Sequence, residues 1–309
     1  MRTGIAVVWL LAAGSVNADT YYLTVAGLGG EPDFEQRFDG WAKDADKILK
    51  GSVDASFVTT LNGPSATRAN VRSEMEKIAK SAKPEDVLVL FLIGHGTFDG
   101  TDYKINLPGP DMTGLELAGL LDRIPATRQL VVNSTSSGGG SIDALRRPNR
   151  VVISATKSGT EKNATVFGRY WVEALRDPAA DADKNETVSA LEAYRFADGK
   201  TTTFYETQKR LATEHAVLED TGNGEPARAP SSENGQGLVA SAFPVLRLGA
   251  AAKLAADPEM QKLLAKKEDL EQQIDRLKYQ KAAIPTAEYK KQLAALLLEL
   301  ARTQAEIDK

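Results

Sequence analysis

No cysteine occurs among the 309 residues. That absence excludes disulfides, a thiol nucleophile and a lipid-modified cysteine at a processing site. The fold must be held by burial alone, which a domain of more than about 200 residues can achieve. Long basic runs are also missing, and the formal net charge is -4, so nucleic acid is not an expected partner. Apolar runs long enough to span a bilayer do not occur after the N-terminal segment. What remains is an ordinary globular balance, 42% hydrophobic and 26% charged.

The N-terminus reads as an export signal, residues 1–18. Arg2 supplies a positive start, residues 5–13 (IAVVWLLAA) an apolar stretch too short for a stable anchor, and Val16-Asn17-Ala18 a cleavage pattern. Cleavage after Ala18 makes Asp19 the first mature residue. The expected location is periplasmic or secreted, with no membrane attachment after cleavage.

From residue 19 to 248, strand and helix signals alternate. Strands are expected at 21–26, 55–61, 86–93, 129–132 and 151–155, and helices at 34–49, 67–82, 113–122 and 166–175. The run DVLVLFLI at 86–93 is apolar without interruption, which suits a central strand buried on both faces. Such alternation implies an α/β domain with a doubly wound, mostly parallel sheet flanked by helices. Ligands on these sheets bind beyond the C-terminal strand ends, which here carry Gly94-His95-Gly96 and residues 133–140. Residues 219–237 read as a mobile loop, and 238–248 as a last strand with Pro244 favouring an edge.

Composition changes at Pro258. Residues 259–281 and 287–308 carry helical apolar stripes separated by Ile284-Pro285-Thr286, giving an antiparallel, coiled-coil-like hairpin over 258–309. Leu296-Leu297-Leu298 widens the second stripe beyond a narrow seam. That width predicts packing against the α/β domain, a second copy or a partner helix.

Two segments carry chemistry. DVLVLFLIGHGTFDG resembles the histidine segment of legumain-type and caspase-like cysteine peptidases, and QLVVNSTSSGGG resembles their nucleophile segment. The opening YYLTVAGLGGEP is similar to the family's first strand and turn. The resemblance implies a caspase-like α/β domain. It places His95 at the histidine position, Thr135 at the cysteine position and Asn133 where an acidic residue is common. Ser134, Ser136, Ser137, Gly138 and Gly94 would line the pocket. The backbone amides of Gly96 and Thr135 are candidate oxyanion donors.

A thiolate is accessible near neutral pH, whereas a threonine hydroxyl needs a close, oriented base. No acidic residue adjoins His95, although Asp99 and Asp102 follow nearby. The favoured expectation is a catalytically impaired homologue with a peptide- or protein-binding role. The alternatives are a hydrolase using Thr135, Ser134 or Ser136 with His95, and a structural adaptor acting through the hairpin.

A third segment has cation-ligand spacing. Asp181, Asp183, Asn185, Thr187, Ser189 and Glu192 stand at positions 1, 3, 5, 7, 9 and 12 of an EF-hand-like loop, with Glu186 where glycine is usual. A structural Ca2+ is expected there, against the plainer reading of a solvated loop that caps the next helix. The acidic stretch 219–225 is less specific. His215, assigned to a helix, is expected to be packed or solvated.

Overall fold

A computed structural model describes residues 18–231, 234–255 and 257–309. Of the expected export signal, only Ala18 falls among them.

The chain begins with β1 (Thr20–Ala26), α1 (Pro32–Lys50), β2 (Val58–Leu61), α2 (Arg68–Ser81) and β3 (Val87–Ile93). Three short strands follow, β4 (Gly96–Phe98), β5 (Tyr103–Ile105) and β6 (Met112–Thr113), before α3 (Gly114–Leu121). Next come β7 (Arg128–Asn133), α4 (Ile142–Leu145), β8 (Arg150–Ser154), α5 (Phe167–Ala174), β9 (Thr187–Ser189) and α6 (Ala190–Thr207). The remainder is β10 (Val217–Glu219), α7 (Leu238–Ser241), β11 (Pro244–Arg247), α8 (Gly249–Leu254), α9 (Pro258–Tyr279) and α10 (Thr286–Ile307).

Six strands form the central sheet in the order β2-β1-β3-β7-β8-β10. All pairs are parallel except β8 with β10. Every residue of β3 is buried because the strand lies inside the sheet with layers on both faces. Val87, Val89, Phe91 and Ile93 point toward α1, α5 and α6, where Phe38, Ala42, Trp171 and Tyr194 meet them. Leu88, Leu90 and Leu92 point the other way, onto Met75, Ile78, Leu117 and Leu121. Each buried leucine contributes about 1.5–3 kcal/mol relative to exposure. Thr67 and Thr113 fix two helix starts: their hydroxyls accept the amides of Asn70 (3.2 Å) and Glu116 (3.0 Å). The mixed α/β class and the mostly parallel, helix-flanked sheet are as expected.

Four expectations change. Residues 55–57 form a 3-10 turn, so the second strand starts only at Val58. Asp54 drives this by accepting the Ser56 amide. Residues 238–248 do not return as a strand of the central sheet. They form α7 and then β11, which pairs with β9 in a separate two-stranded sheet. The last strand of the central sheet is β10, which opens the expected loop. His215 lies in the connection between α6 and β10, outside any helix.

The C-terminal helices form the expected hairpin, with Lys266 of α9 paired to Glu299 of α10 (3.0 Å). Leu264, Leu270, Ile274 and Leu277 of α9 are buried, and Glu268 accepts Arg128 (3.5 Å) and Arg247 from the domain. Helix α10 packs on α9, leaving Leu297 and Leu298 47% and 54% exposed.

Candidate functional site

The C-terminal ends of β1, β3 and β7 meet at one edge of the sheet. Strand β3 stops at Gly94, whose φ of +141° turns the chain outward and lets His95 leave the sheet. At the end of β1, a Cβ on Gly27 would lie 2.3 Å from the Asn106 carbonyl oxygen, so only glycine lets the two loops touch. The Asn106 amide donates to the His95 carbonyl (3.0 Å).

The half-buried His95 ring sits edge-on to Phe34 (5.0 Å between centroids) and Phe38 (5.2 Å). Burial pulls its pKa below the usual 6.5, opposed by the Gly29 backbone and by Glu31 and Glu35. Burial thus favours the neutral imidazole. Among the described residues it makes no side-chain hydrogen bond to Thr135, Ser134 or Ser136.

Thr135 is fully buried. Its hydroxyl lies 2.6 Å from Tyr103 Oη, donates to Asn133 Oδ1 (2.7 Å), and has the Ser136 carbonyl at 3.1 Å. Tyr103 Oη also reaches Asn133 Oδ1 (3.3 Å), and Asn133 Nδ2 donates to Ser141 Oγ (3.0 Å). The hydroxyl thus has a donor, an acceptor and no base. Burial pushes the Tyr103 phenol up to about 12, so it cannot accept a proton from Thr135 near neutrality. An amide at Asn133 cannot either.

The candidate oxyanion donors are already engaged. Gly96 N–H donates to Ser136 Oγ (3.1 Å), and Thr135 N–H to Asn133 Oδ1 (3.2 Å). Both amides named as candidate donors are thus paired within the protein. Gly96 is close-packed: an added Cβ would sit 2.6 Å from the Ser136 carbonyl oxygen, 2.6 Å from Tyr103 Cε2 and 2.9 Å from Thr135 Oγ1. Ser134 serves packing, its hydroxyl donating to the Leu92 carbonyl (2.7 Å) under Gly168 of α5. Ser137 takes a left-handed φ of +56°, its amide donating to the Glu161 carbonyl (2.7 Å) while its hydroxyl is buried without a partner. Gly138 stands against Asn133, where a Cβ would lie 3.1 Å from Oδ1.

Sequence reasoning missed Tyr103 and Glu161. The signal for Tyr103 was present: GTFDGTDYKI contains an Asp-Gly turn between alternating residues, and β4 and β5 pair around it. Glu161 holds Ser137 through its carbonyl and His215 Nδ1 through its carboxylate (2.5 Å). His215 is therefore tied to the loop that braces the site. Beside Tyr103 opens a cleft of about 620 Å3, lined among others by Phe98, Leu115, Gly140, Lys157 and Gly159. Neither His95 nor Thr135 lines it, and Tyr103 stands between the cleft and Thr135.

The 181–192 loop brings ligand oxygens of Asp181, Asp183 and Glu192 within 4.8 Å of one another. Glu186 adopts φ +61°, supplying the turn usually left to glycine, and its amide donates to Asp181 Oδ2 (3.1 Å). Burial, with Glu192 and Asp181 nearby, raises the Asp183 pKa. Asn185 contacts Asp183 through its amide nitrogen (3.0 Å), while its oxygen accepts from Thr187 N–H (2.8 Å). Ser189 caps α6 in a reciprocal pair with Glu192. The donor set fits a hard cation at three carboxylates. Asn185 must rotate to join them, and Ser189 is turned to its cap.

No family profile matches the chain, and no curated protein matches it. Solved structures similar to it include protein GSU0716 from Geobacter sulfurreducens, 14% identical over 67% of this chain and 94% of that one, TM-score 0.45. Another is the Drosophila initiator caspase Dronc, 8% identical over 69% and 83%, TM-score 0.45. Neither likeness bears on activity.

Proposed function

We propose that this chain is an exported, catalytically silent relative of the legumain-type and caspase-like peptidases that binds a peptide or protein segment in the cleft beside Tyr103. The observation that carries the reading is the Thr135 hydroxyl, buried between Tyr103 and Asn133 with no base in reach. A hydroxyl nucleophile needs the opposite environment. A bound segment would meet the exposed Leu115, the Phe98 ring and backbone groups of Gly139 and Gly140. Calcium on the 181–192 loop belongs to the same reading, as a structural ion that clamps α6 to β9.

The test is capture from a displayed peptide library by the mature protein and by Leu115→Glu. Enrichment of sequences by the wild type that Leu115→Glu loses supports the cleft. Equal enrichment by both proteins overturns it.

The exposed Leu297 and Leu298 favour a second reading, in which α10 docks a partner helix or a second copy. Leu297→Glu with Leu298→Glu leaves α9 on the domain, so it is cleaner than removing the hairpin. Loss of self-association or partner capture in that variant, with the cleft intact, would move the function to the hairpin.

A further inference from the structure

Asp86 is a carboxylate 1% exposed at the N-terminal end of β3. Its Oδ2 accepts the Lys83 amide (2.8 Å) and its Oδ1 accepts the Asp19 amide (2.8 Å). No lysine or arginine forms an ion pair with it among the described residues. A buried carboxylate without a cation is costly, and two neutral donors offset only part of that cost. The neighbourhood is short of positive charge as well. The Asp19 pKa is raised by burial and then by Asp86, with Asp54 adding to it and Lys83 alone opposing.

The position of the Asp19 nitrogen does not depend on what precedes it. The Asp19 carbonyl accepts the Val87 amide (2.9 Å), and Thr20 stands in register with Val87. Strand pairing therefore places that nitrogen on Asp86. Upstream, Ala18 faces a cleft of about 590 Å3 and is held through its carbonyl by Gln261 Nε2 (2.6 Å).

We propose that the Ala18–Asp19 bond is a processing site, and that the α-ammonium released there is the cation for buried Asp86. This rests on the export reading of residues 1–18. An export peptidase adds one water across the amide. Ala18 leaves as a carboxylate, and the Asp19 nitrogen becomes an amine that is protonated at neutral pH. The hydrogen bond at 2.8 Å then becomes a charge-assisted one. Removal of the signal is thereby coupled to the stability of β1 in the sheet.

Asp86 Oδ1 contacts the Asp19 nitrogen, and the other charged groups around Asp19 are its own carboxylate, Asp54 before β2 and Lys83 before β3. Arg247 of β11, across the cleft, is taken by Glu268. An unfolded α-amino group titrates at about 7.7–8.0. Pairing with Asp86 would raise that value in the fold, against the partial burial at Asp19, which would lower it. The contribution is therefore complete below about 8 and disappears as pH rises through the folded value.

The experiment compares full-length mature protein beginning at Asp19 with the same chain carrying one extra glycine. The extra residue keeps the Asp19 N–H but moves the charge. At pH 6.5 the Asp19 form should melt at least about 2–4 °C higher. The gap should close by about pH 10.5 and be absent between the two forms of Asp86→Asn. If Asp86→Asn does not fold, the nitrogen-15 titration of the Asp19 ammonium replaces it, with a raised value expected. Equal melting at pH 6.5, a gap that survives in Asp86→Asn, or an unshifted titration overturns the pairing. The mass of the exported chain is read separately. A start other than Asp19 overturns the processing site, and a chain that is not exported and keeps residues 1–18 overturns the export reading, while the melting result still reports on the pairing.

Discussion

Tyr103 Oη lies 2.6 Å from Thr135 Oγ1, and both side chains are buried. Thr135 is thus a partner in a closed hydrogen-bond set. Removing Tyr103 Oη leaves Thr135 short of a donor, at a cost of about 1–3 kcal/mol for an unsatisfied buried group. Tyr103→Phe should therefore lower Tm by several degrees, and Thr135→Val similarly. The double variant should lose less than the sum, since the second change removes a group the first has orphaned. Denaturant melts of the four proteins check this, and strict additivity would contradict a direct bond.

Thr135→Cys restores the thiol in name only. With Tyr103 above it and no cation in reach, the thiol should stay protonated and shielded. It should react with a thiol reagent only after unfolding, and no peptidase activity should appear. Fast labelling of the folded variant would show that the position is open.

Glu192 and Asp181 help to raise the Asp183 pKa, and a calcium ion at the proposed site would relieve that repulsion. Calcium at about 100-fold over Kd should stabilise by about 2.7 kcal/mol. That is a Tm rise of about 5 °C or more for a domain of this size. Chelator should reverse it, and Asp183→Ala should abolish it. An unchanged Tm with and without chelator would leave the loop as a helix cap only.

His95 has a depressed pKa because burial disfavours its charged form. The unfolded chain then binds a proton first as pH falls through about 6.5. Its contribution is complete above that value and is lost progressively down to the lower folded pKa. The stability gap between wild type and His95→Gln should accordingly narrow below about pH 6.5. Histidine NMR titration should give a value under 6.5 for His95, and a value above it would contradict the neutral ring.

Much of this architecture could be read from residue patterns. The unbroken apolar run of β3 announced a strand with two covered faces, and apolar spacing placed the two helices whose starts Thr67 and Thr113 cap in the structure. Local signals stop where pairing partners are distant. The strand at Val217–Glu219 is short, and only its register with β8 makes it one. Pro244–Arg247 looks like a sheet edge, but its partner is β9, inside the 181–192 loop. At the site, the glycines and His95 were legible because they obey backbone rules at strand ends. The closure of Thr135 was not. It depends on Tyr103, which reaches the nucleophile segment from 32 positions away through a hairpin.

A Thr135 position that does no chemistry leaves peptides uncut. The mature protein, His95→Ala and Thr135→Ala are incubated with a diverse peptide library and calcium, and products are read by mass spectrometry. Silence from the wild type, indistinguishable from both variants, is the predicted result. Cleavage by the wild type that both variants lose would contradict the account and make this chain a hydrolase with a threonine nucleophile.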